Sequence, residues 1–276
     1  MTSSKRTDTA VVKVGGDAPS FLQEFVGDAD KSLAGMKEYR VLPRAKLIQG
    51  MTDATLKEEF GEGAVIMSPG RALVAGARTP FLFAPLFFFT EFCKWRDRRD
   101  KSGSVIVARS ADKAGEVAAR ARNAEQRFEE YAGGPAKEPF KYRYVEHLNF
   151  AGLVYDPDHF QNASPITVGF SRGEFFTGKN FVSAIMLRKV GGIPAPLWSQ
   201  VWQLQSNTRT RADNTWWGID FQNPERPWIT EEQAPFMRGM HEELRNLYAQ
   251  ERLTVDASEA DDDESATVDL NAEMGG

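Results

Sequence analysis

The chain has one cysteine, Cys93, in 276 residues. This excludes an internal disulfide and a multi-cysteine zinc cluster, and it points to a reducing compartment, the cytoplasm. Histidine is scarce too: His147, His159 and His241 lie far apart, with no pair at metal-ligand spacing. Gly-x-Ser-x-Gly and phosphate-loop lysine motifs are missing. The longest apolar run, Phe81 to Phe89, is far short of the roughly 20 residues that a spanning helix needs, and the polar start Met1-Thr-Ser-Ser-Lys-Arg-Thr-Asp leads into no apolar signal core. The expectation is a chain with no enzyme signature, no cofactor, no metal and no membrane segment.

What is present is a large apolar fraction, 41%, with nineteen Phe residues, enough to fill a core. The net charge of −5 hides an asymmetry. Residues 253–276 hold eight acids (Asp256, Glu259, Asp261, Asp262, Asp263, Glu264, Asp269 and Glu273) and no base; setting them aside leaves 34 basic against 31 acidic side chains, a body of about +3. Blocks of like charge stay solvated and act as interaction tails. The organisation read from this is a flexible arm over 1–38, a folded body over 39–252 and a disordered acidic tail over 253–276.

Strand signals dominate the body. Tyr39 to Gln49 alternates apolar and basic residues, with Pro43 favouring an edge. Gly63 to Met67 and Ala72 to Val74 flank the turn Ser68-Pro69-Gly70. Phe81 to Trp95 reads as a strand buried on both faces and interrupted near Pro85, with Ser104 to Ala108 as its hairpin partner. Ala111 to Tyr131 carries apolar residues at three- and four-residue spacings and predicts an amphipathic helix. Phe140 to Tyr155 predicts a strand, Asn180 to Val190 a helix closed by Gly191-Gly192, and Leu197 to Gln205 with Thr215 to Phe221 a strand pair joined by a polar, basic loop. A last helix runs from Thr230 to about Arg252. The fold class expected is mainly β (α+β), an antiparallel barrel with helical insertions.

Cys93 sits among apolar neighbours and reads as an inert buried thiol, and His147 as a packed histidine. The pairs Glu58-Glu59, Glu129-Glu130 and Glu231-Glu232 read as solvated helix faces. What remains is basic residues interleaved with aromatics. Single strands bound without sequence preference need cations along the phosphates and flat rings for the bases. Arg40, Arg44 and Lys46 supply a basic first strand. Lys94-Trp95-Arg96-Asp97-Arg98-Arg99 follows the buried strand, and in Phe140-Lys141-Tyr142-Arg143-Tyr144 alternation separates Lys141 and Arg143 from the aromatics. A third group combines Trp202, Arg209, Arg211, Trp216 and Trp217 around one hairpin, where adjacent Trp216 and Trp217 face opposite sides. Each group has a plain alternative as solvated basic surface over core aromatics.

This arrangement resembles bacteriophage single-stranded DNA-binding proteins of the OB-fold type. The likeness lies in the basic first strand, the helical insertion, the late strand pair with Trp216-Trp217-Gly218, the terminal helix and the tail Asp261-Asp262-Asp263-Glu264. The final residues, Asn-Ala-Glu-Met-Gly-Gly, depart from the aromatic ending that such tails often carry. The resemblance implies a five-stranded barrel with extensions and a role in phage DNA replication or recombination in the host cell cytoplasm. The tail residues Asp261, Asp262, Asp263, Glu264 and Asp269 would compete for the basic groove or recruit replication and recombination proteins, and a homo-oligomer is compatible with it. The competing expectation is a phage structural or regulatory interaction protein, with the Phe-rich strand as subunit interface. A metal-dependent phosphoryl-transfer enzyme would need acids converging on strand ends, which no spacing here provides.

Overall fold

The computed structural model describes residues 41–50, 52–96, 105–131, 140–156, 158–212, 214–250 and 252–255. Arg40, Arg98, Arg99, the arm 1–38 and the five tail acids lie outside the described residues.

Two strands of 16 residues organise the molecule, β5 (Phe81–Arg96) and β8 (Phe140–Tyr155). They pair antiparallel from Leu82 opposite Tyr155 to Arg96 opposite Tyr142, with a bulge between Pro85 and Phe87. Strands of this length span about 50 Å, more than one core can cover, and each changes neighbour along its edge. Among the described residues, β1 (Val41–Leu42) and β2 (Arg44–Leu47), then β3 (Val65–Ser68) and β4 (Ala72–Ala75), come before β5. It continues with β6 (Val105–Ser110), β7 (Phe128–Tyr131), β8, β9 (Ser164–Phe170), the short hairpin β10 (Lys189–Val190) and β11 (Ile193–Pro194), then β12 (Trp202–Arg211), β13 (Asn214–Gln222) and β14 (Thr254–Val255). The body sheet runs β13-β12-β5-β8-β9-β2-β3-β4. Further along the same two strands, β6 takes the edge of β5 and β7 takes the edge of β8, which makes a four-stranded arm.

The body sheet is curled and lies between two helices. On one face α3 (Phe175–Leu187) places Phe181 and Ile185 against Phe83, Phe150, Phe170 and Trp202. Phe181 makes ring contacts with Phe150 at 4.8 Å and Phe221 at 4.9 Å. On the other face α4 (Ala234–Ala249) sets Met237 and Leu244 against Ala84, Leu86, Phe89 and Leu153. Two further helices among the described residues are α1 (Ala54–Phe60), N-capped by the Asp53 carboxylate, which accepts from Thr55 N, and α2 (Glu116–Arg122). The sheet curls far enough that a side chain just beyond β2 reaches the end strand β13: Gln49 Nε2 donates to Trp217 O and Gln49 Oε1 accepts from Trp217 N, both at 2.8 Å.

Several sequence expectations are corrected. The body sheet is not wholly antiparallel, since β2 pairs β9 in parallel, and a separate two-stranded sheet pairs β1 with β14 in parallel. Pro43 marks the break between β1 and β2 rather than an edge, and its carbonyl accepts from Thr167 N at 2.7 Å. The helix expected to Tyr131 stops at Arg122, because Phe128 to Tyr131 pair with β8 as β7, so Glu129-Glu130 lie on a strand. Gly191-Gly192 turn the β10–β11 hairpin rather than end a helix. The basic loop expected at Ser206 to Asn214 is ladder, closed by a tight turn through Ala212. The Phe-rich strand β5 is interior to the sheet, and most of its side chains are buried in the core.

Candidate nucleic-acid interface

Side chains alternate across the arm, and the two faces differ in character. One face carries Phe92, Lys94 and Arg96 from β5 opposite Glu146, Tyr144 and Tyr142 from β8. Helix α2 covers its inner part, packing Ala118 and Ala121 on Phe92 and Tyr144. Cations line these rings: Lys94 Nζ is 4.1 Å from the Tyr142 centroid and 5.3 Å from that of Tyr144. Arg120 lies 5.2 Å from Tyr144, and Arg122 lies 4.6 Å from Phe92 while also reaching Glu146 Oε1 at 3.3 Å. Tyr142 is half-buried, whereas Tyr144 is buried. Lys141 stands on β8 opposite Glu130.

The opposite face carries Glu91, Cys93 and Trp95 opposite His147, Val145 and Arg143. Arg143 lies 5.6 Å from the Phe128 ring. Glu91, 8% exposed, sits between Arg44 (3.6 Å to Oε2) and Arg109 (3.5 Å to Oε1), and Asn149 Nδ2 donates to Oε2 at 2.9 Å. Gly169 faces the other end of that amide, where a Cβ would come within 2.9 Å of Asn149 Oδ1. Trp95 is buried, stacks on His147 at 6.3 Å and lies under Arg172 at 5.0 Å. Arg172 holds φ +50°, a left-handed backbone that costs a non-glycine residue free energy.

Burial keeps two groups here electrically silent. The Cys93 thiol is pushed up to about 11, first by burial and then by Glu91, so it is inert as expected. His147 is held well below the ordinary histidine value, first by burial and then by Arg44, Arg172 and Arg109. Because the folded state resists a proton that the unfolded chain takes up below about pH 6.5, stability is full above that pH and falls as pH drops below it. The expected slope from this group is about 1.4 kcal/mol per pH unit. Denaturation midpoints measured between about pH 5.5 and 7 check it: His147→Gln should flatten the acid-side loss, and an unchanged slope would contradict the assignment.

The third predicted group is held in other work. Trp202 is corrected from a stacking candidate to a core residue, 3% exposed, with Arg188 3.5 Å over its ring. Arg209 spans Glu174 Oε1 at 3.2 Å and Asp220 Oδ1 at 2.5 Å, and Trp216 Nε1 donates to Glu174 Oε1 at 3.2 Å. Gly218 makes room for that carboxylate, since a Cβ there would lie 2.4 Å from Glu174 Oε1. Trp217, also half-buried, packs on Gly63 with Arg78 5.7 Å from its ring. This group clasps β12 and β13 to the body, and Arg211 at the end of β12 belongs to the same hairpin.

Arg44, Trp95, Lys94, Tyr142, Arg143 and Tyr144 therefore gather on or beside the arm, and Arg96 ends β5 there, while Lys46 lies on β2 opposite Ile66. Arg109, Arg172, Arg120 and Arg122 were not foreseen; an acid at Glu91 within an apolar run was the signal that buried cations must meet it. Among the described residues no group of three His, Cys, Asp or Glu side chains could hold a metal ion, and no helix is long and apolar enough to cross a membrane.

No curated protein and no solved structure matches this chain. A family model described as Pam3 phage gp34-like protein matches residues 11–246, most of its length. With that match, the chain belongs to the Pam3 phage gp34-like family.

Proposed function

We propose that the chain binds single-stranded DNA with little sequence preference, along the arm face bearing Lys94 and Tyr142, in phage DNA replication or recombination in the host cytoplasm. The observation that carries this reading is Lys94 Nζ poised 4.1 Å over a half-buried Tyr142 where two long strands pair in the arm. A cation beside a flat ring offers a phosphate contact and a base stack within one nucleotide's reach. The curled sheet is in keeping with an OB-like barrel, a form that presents its strands to oligonucleotides. In this reading the acids Asp261, Asp262, Asp263, Glu264 and Asp269 compete for the basic surface or recruit replication and recombination proteins.

The test is anisotropy of a labelled oligo-dT. Tyr142→Ala is expected to weaken binding by about 1–3 kcal/mol, the worth of one stacked base. Lys94→Ala should weaken it and reduce the slope of log affinity against log salt by about 0.7, the share of one phosphate contact on a single strand. Binding equal to the parent chain in both variants would remove the arm from the interface.

A second reading, a protein-interaction module, is favoured by a specific surface. Met186, Leu187, Val190 and Ile193, at the end of α3 and on the β10–β11 hairpin, are 57 to 75% exposed. Contiguous exposed apolar side chains of this kind mark interaction sites. Sedimentation of the parent chain and of Leu187→Glu separates the readings: assembly lost in the variant, with no oligonucleotide binding by the parent, favours the module.

A further inference from the structure

We propose that segment 21–28 of this chain seats in the groove between the end of α3 and the end of β13, with its carboxylates toward Arg188. The groove holds about 480 Å³, and its lining includes Ala184, Leu187, Arg188, Trp202, Phe221 and Asn223. Arg188 is the one cation among the lining residues, and every acceptor it meets is neutral. Nη1 donates to the Val201 and Pro227 carbonyls at 2.8 and 3.0 Å, and Nη2 to Asn223 Oδ1 at 2.5 Å. The guanidinium lies 3.5 Å from the Trp202 ring centroid and 5.8 Å from that of Trp228. No carboxylate among the described residues pairs with it, and burial alone lowers its pKa, to about 10. A half-buried cation without a counter-charge favours a carboxylate ligand. Next to it Met186, Leu187, Val190 and Ile193 stand exposed, so an occupant that fits offers apolar side chains with an acid at their border.

Segment 21–28, Phe-Leu-Gln-Glu-Phe-Val-Gly-Asp, lies outside the described residues and has that make-up. At helical spacing Phe21, Leu22, Phe25 and Val26 fall on one side, and Glu24 and Asp28 border it. An apolar helical face laid in a groove is a recurrent way for a short segment to dock. Two observations favour this occupant over a foreign protein. The family match begins at residue 11 and so takes in segment and groove together. The chain also enters the described body close by, because Leu42 and Val201 belong to one apolar cluster, against which Ile229 packs. Val201 and Ile229 adjoin Trp202 and Trp228, the two rings beside Arg188. Val41 lies 15 residues after Val26, a tether that spans about 50 Å when extended.

The inference rests on the apolar surface of the interaction-module reading and on nothing in the arm. Disulfide trapping in the full chain under oxidised glutathione tests it. The parent thiol does not interfere, because Cys93 is buried. Val26→Cys keeps a small apolar side chain, and its partner is Leu187→Cys at an exposed position of the groove. Val107→Cys, exposed on β6 in the arm, is the control partner. The groove pair should close within one chain at least about tenfold faster than the control pair, the gain of a seated neighbour over a tethered collision. Adding Phe25→Ser should bring the rate down to that of the control. Adding Glu24→Gln and Asp28→Asn should slow it several-fold, more at low salt than at high. Equal rates for the two pairs, or a groove bond indifferent to Phe25→Ser, would overturn the inference. Bonds formed between chains would overturn it too, while upholding assembly through this surface. Oligo-dT binding, read separately with Tyr142→Ala, is untouched by either result.

Discussion

Glu91→Leu is expected to destabilise the fold by about 3–5 kcal/mol, the usual loss when one partner of a buried ion cluster is removed. The carboxylate is nearly buried, and Arg44, Arg109 and Asn149 all direct donors at it. Leucine fills comparable space but takes away the carboxylate that both guanidinium groups approach. The loss is electrostatic and not steric, so Glu91→Leu combined with Arg44→Met and Arg109→Met should recover much of it, as replacement of whole buried ion clusters often does. Urea midpoints of the four proteins check this. A cost below about 1 kcal/mol for Glu91→Leu, the level of an exposed pair, would mean that the cluster is solvated and not a buried one.

Gly152→Val should be as severe for a steric reason. Gly152 lies near the C-terminal end of β8, opposite Pro85, at the bulge in β5. A Cβ there would come within 2.4 Å of the Ala84 carbonyl oxygen and 2.7 Å of the Phe83 ring. The nearest obstacle is backbone in the strand that organises both sheet and arm, so relief requires moving the ladder itself. Overpacking of this kind costs about 1–3 kcal/mol and more when backbone must shift; valine belongs at or above the upper end. Gly239→Ala is the contrast. Gly239 is exposed in α4 with nothing within 4 Å of a built Cβ, and alanine there should stabilise by about 0.5–1 kcal/mol. Thermal or urea unfolding of the pair should give opposite signs; equal effects would contradict the packing described at β8.

How much of this was legible depends on which residues carried their own signal. The runs Phe81 to Trp95 and Phe140 to Tyr155 announce strands by composition, and β5 and β8 match them almost to the residue. Strand β9 went unread because Pro165 and Gly169 interrupt the alternation of Ile166, Val168 and Phe170; the glycine is there to admit the Asn149 amide, a contact from 20 residues away in sequence. The stretch Asn207-Thr-Arg-Thr-Arg has no apolar period and resembles a loop. It is ladder because Arg209 meets Glu174 and Asp220 in space. Phe128 and Tyr131 fit a helical face as well as a strand, and pairing with β8 decides the matter.

For the site, the sequence exposes residue types and not their neighbours. Lys94, Tyr142 and Tyr144 were grouped from two separate segments, and the β5–β8 register brings them together. Trp202, grouped in sequence with Arg209, Arg211, Trp216 and Trp217, looks like a platform because it is an aromatic beside arginines, yet it lies in the core under Arg188. Arg109 and Arg172 carry no local pattern; only the fold brings them to Glu91 and Trp95.

The measurement that bears most directly on the central claim is an anisotropy titration of the full chain, and of a truncation ending at Arg252, with labelled oligo-dT and with duplex DNA, from about 50 to 200 mM salt. The account predicts binding that prefers the single strand, weakens steeply with salt and tightens when the acidic tail is removed. No binding by either protein at the lowest salt would contradict it and favour the protein-interaction reading.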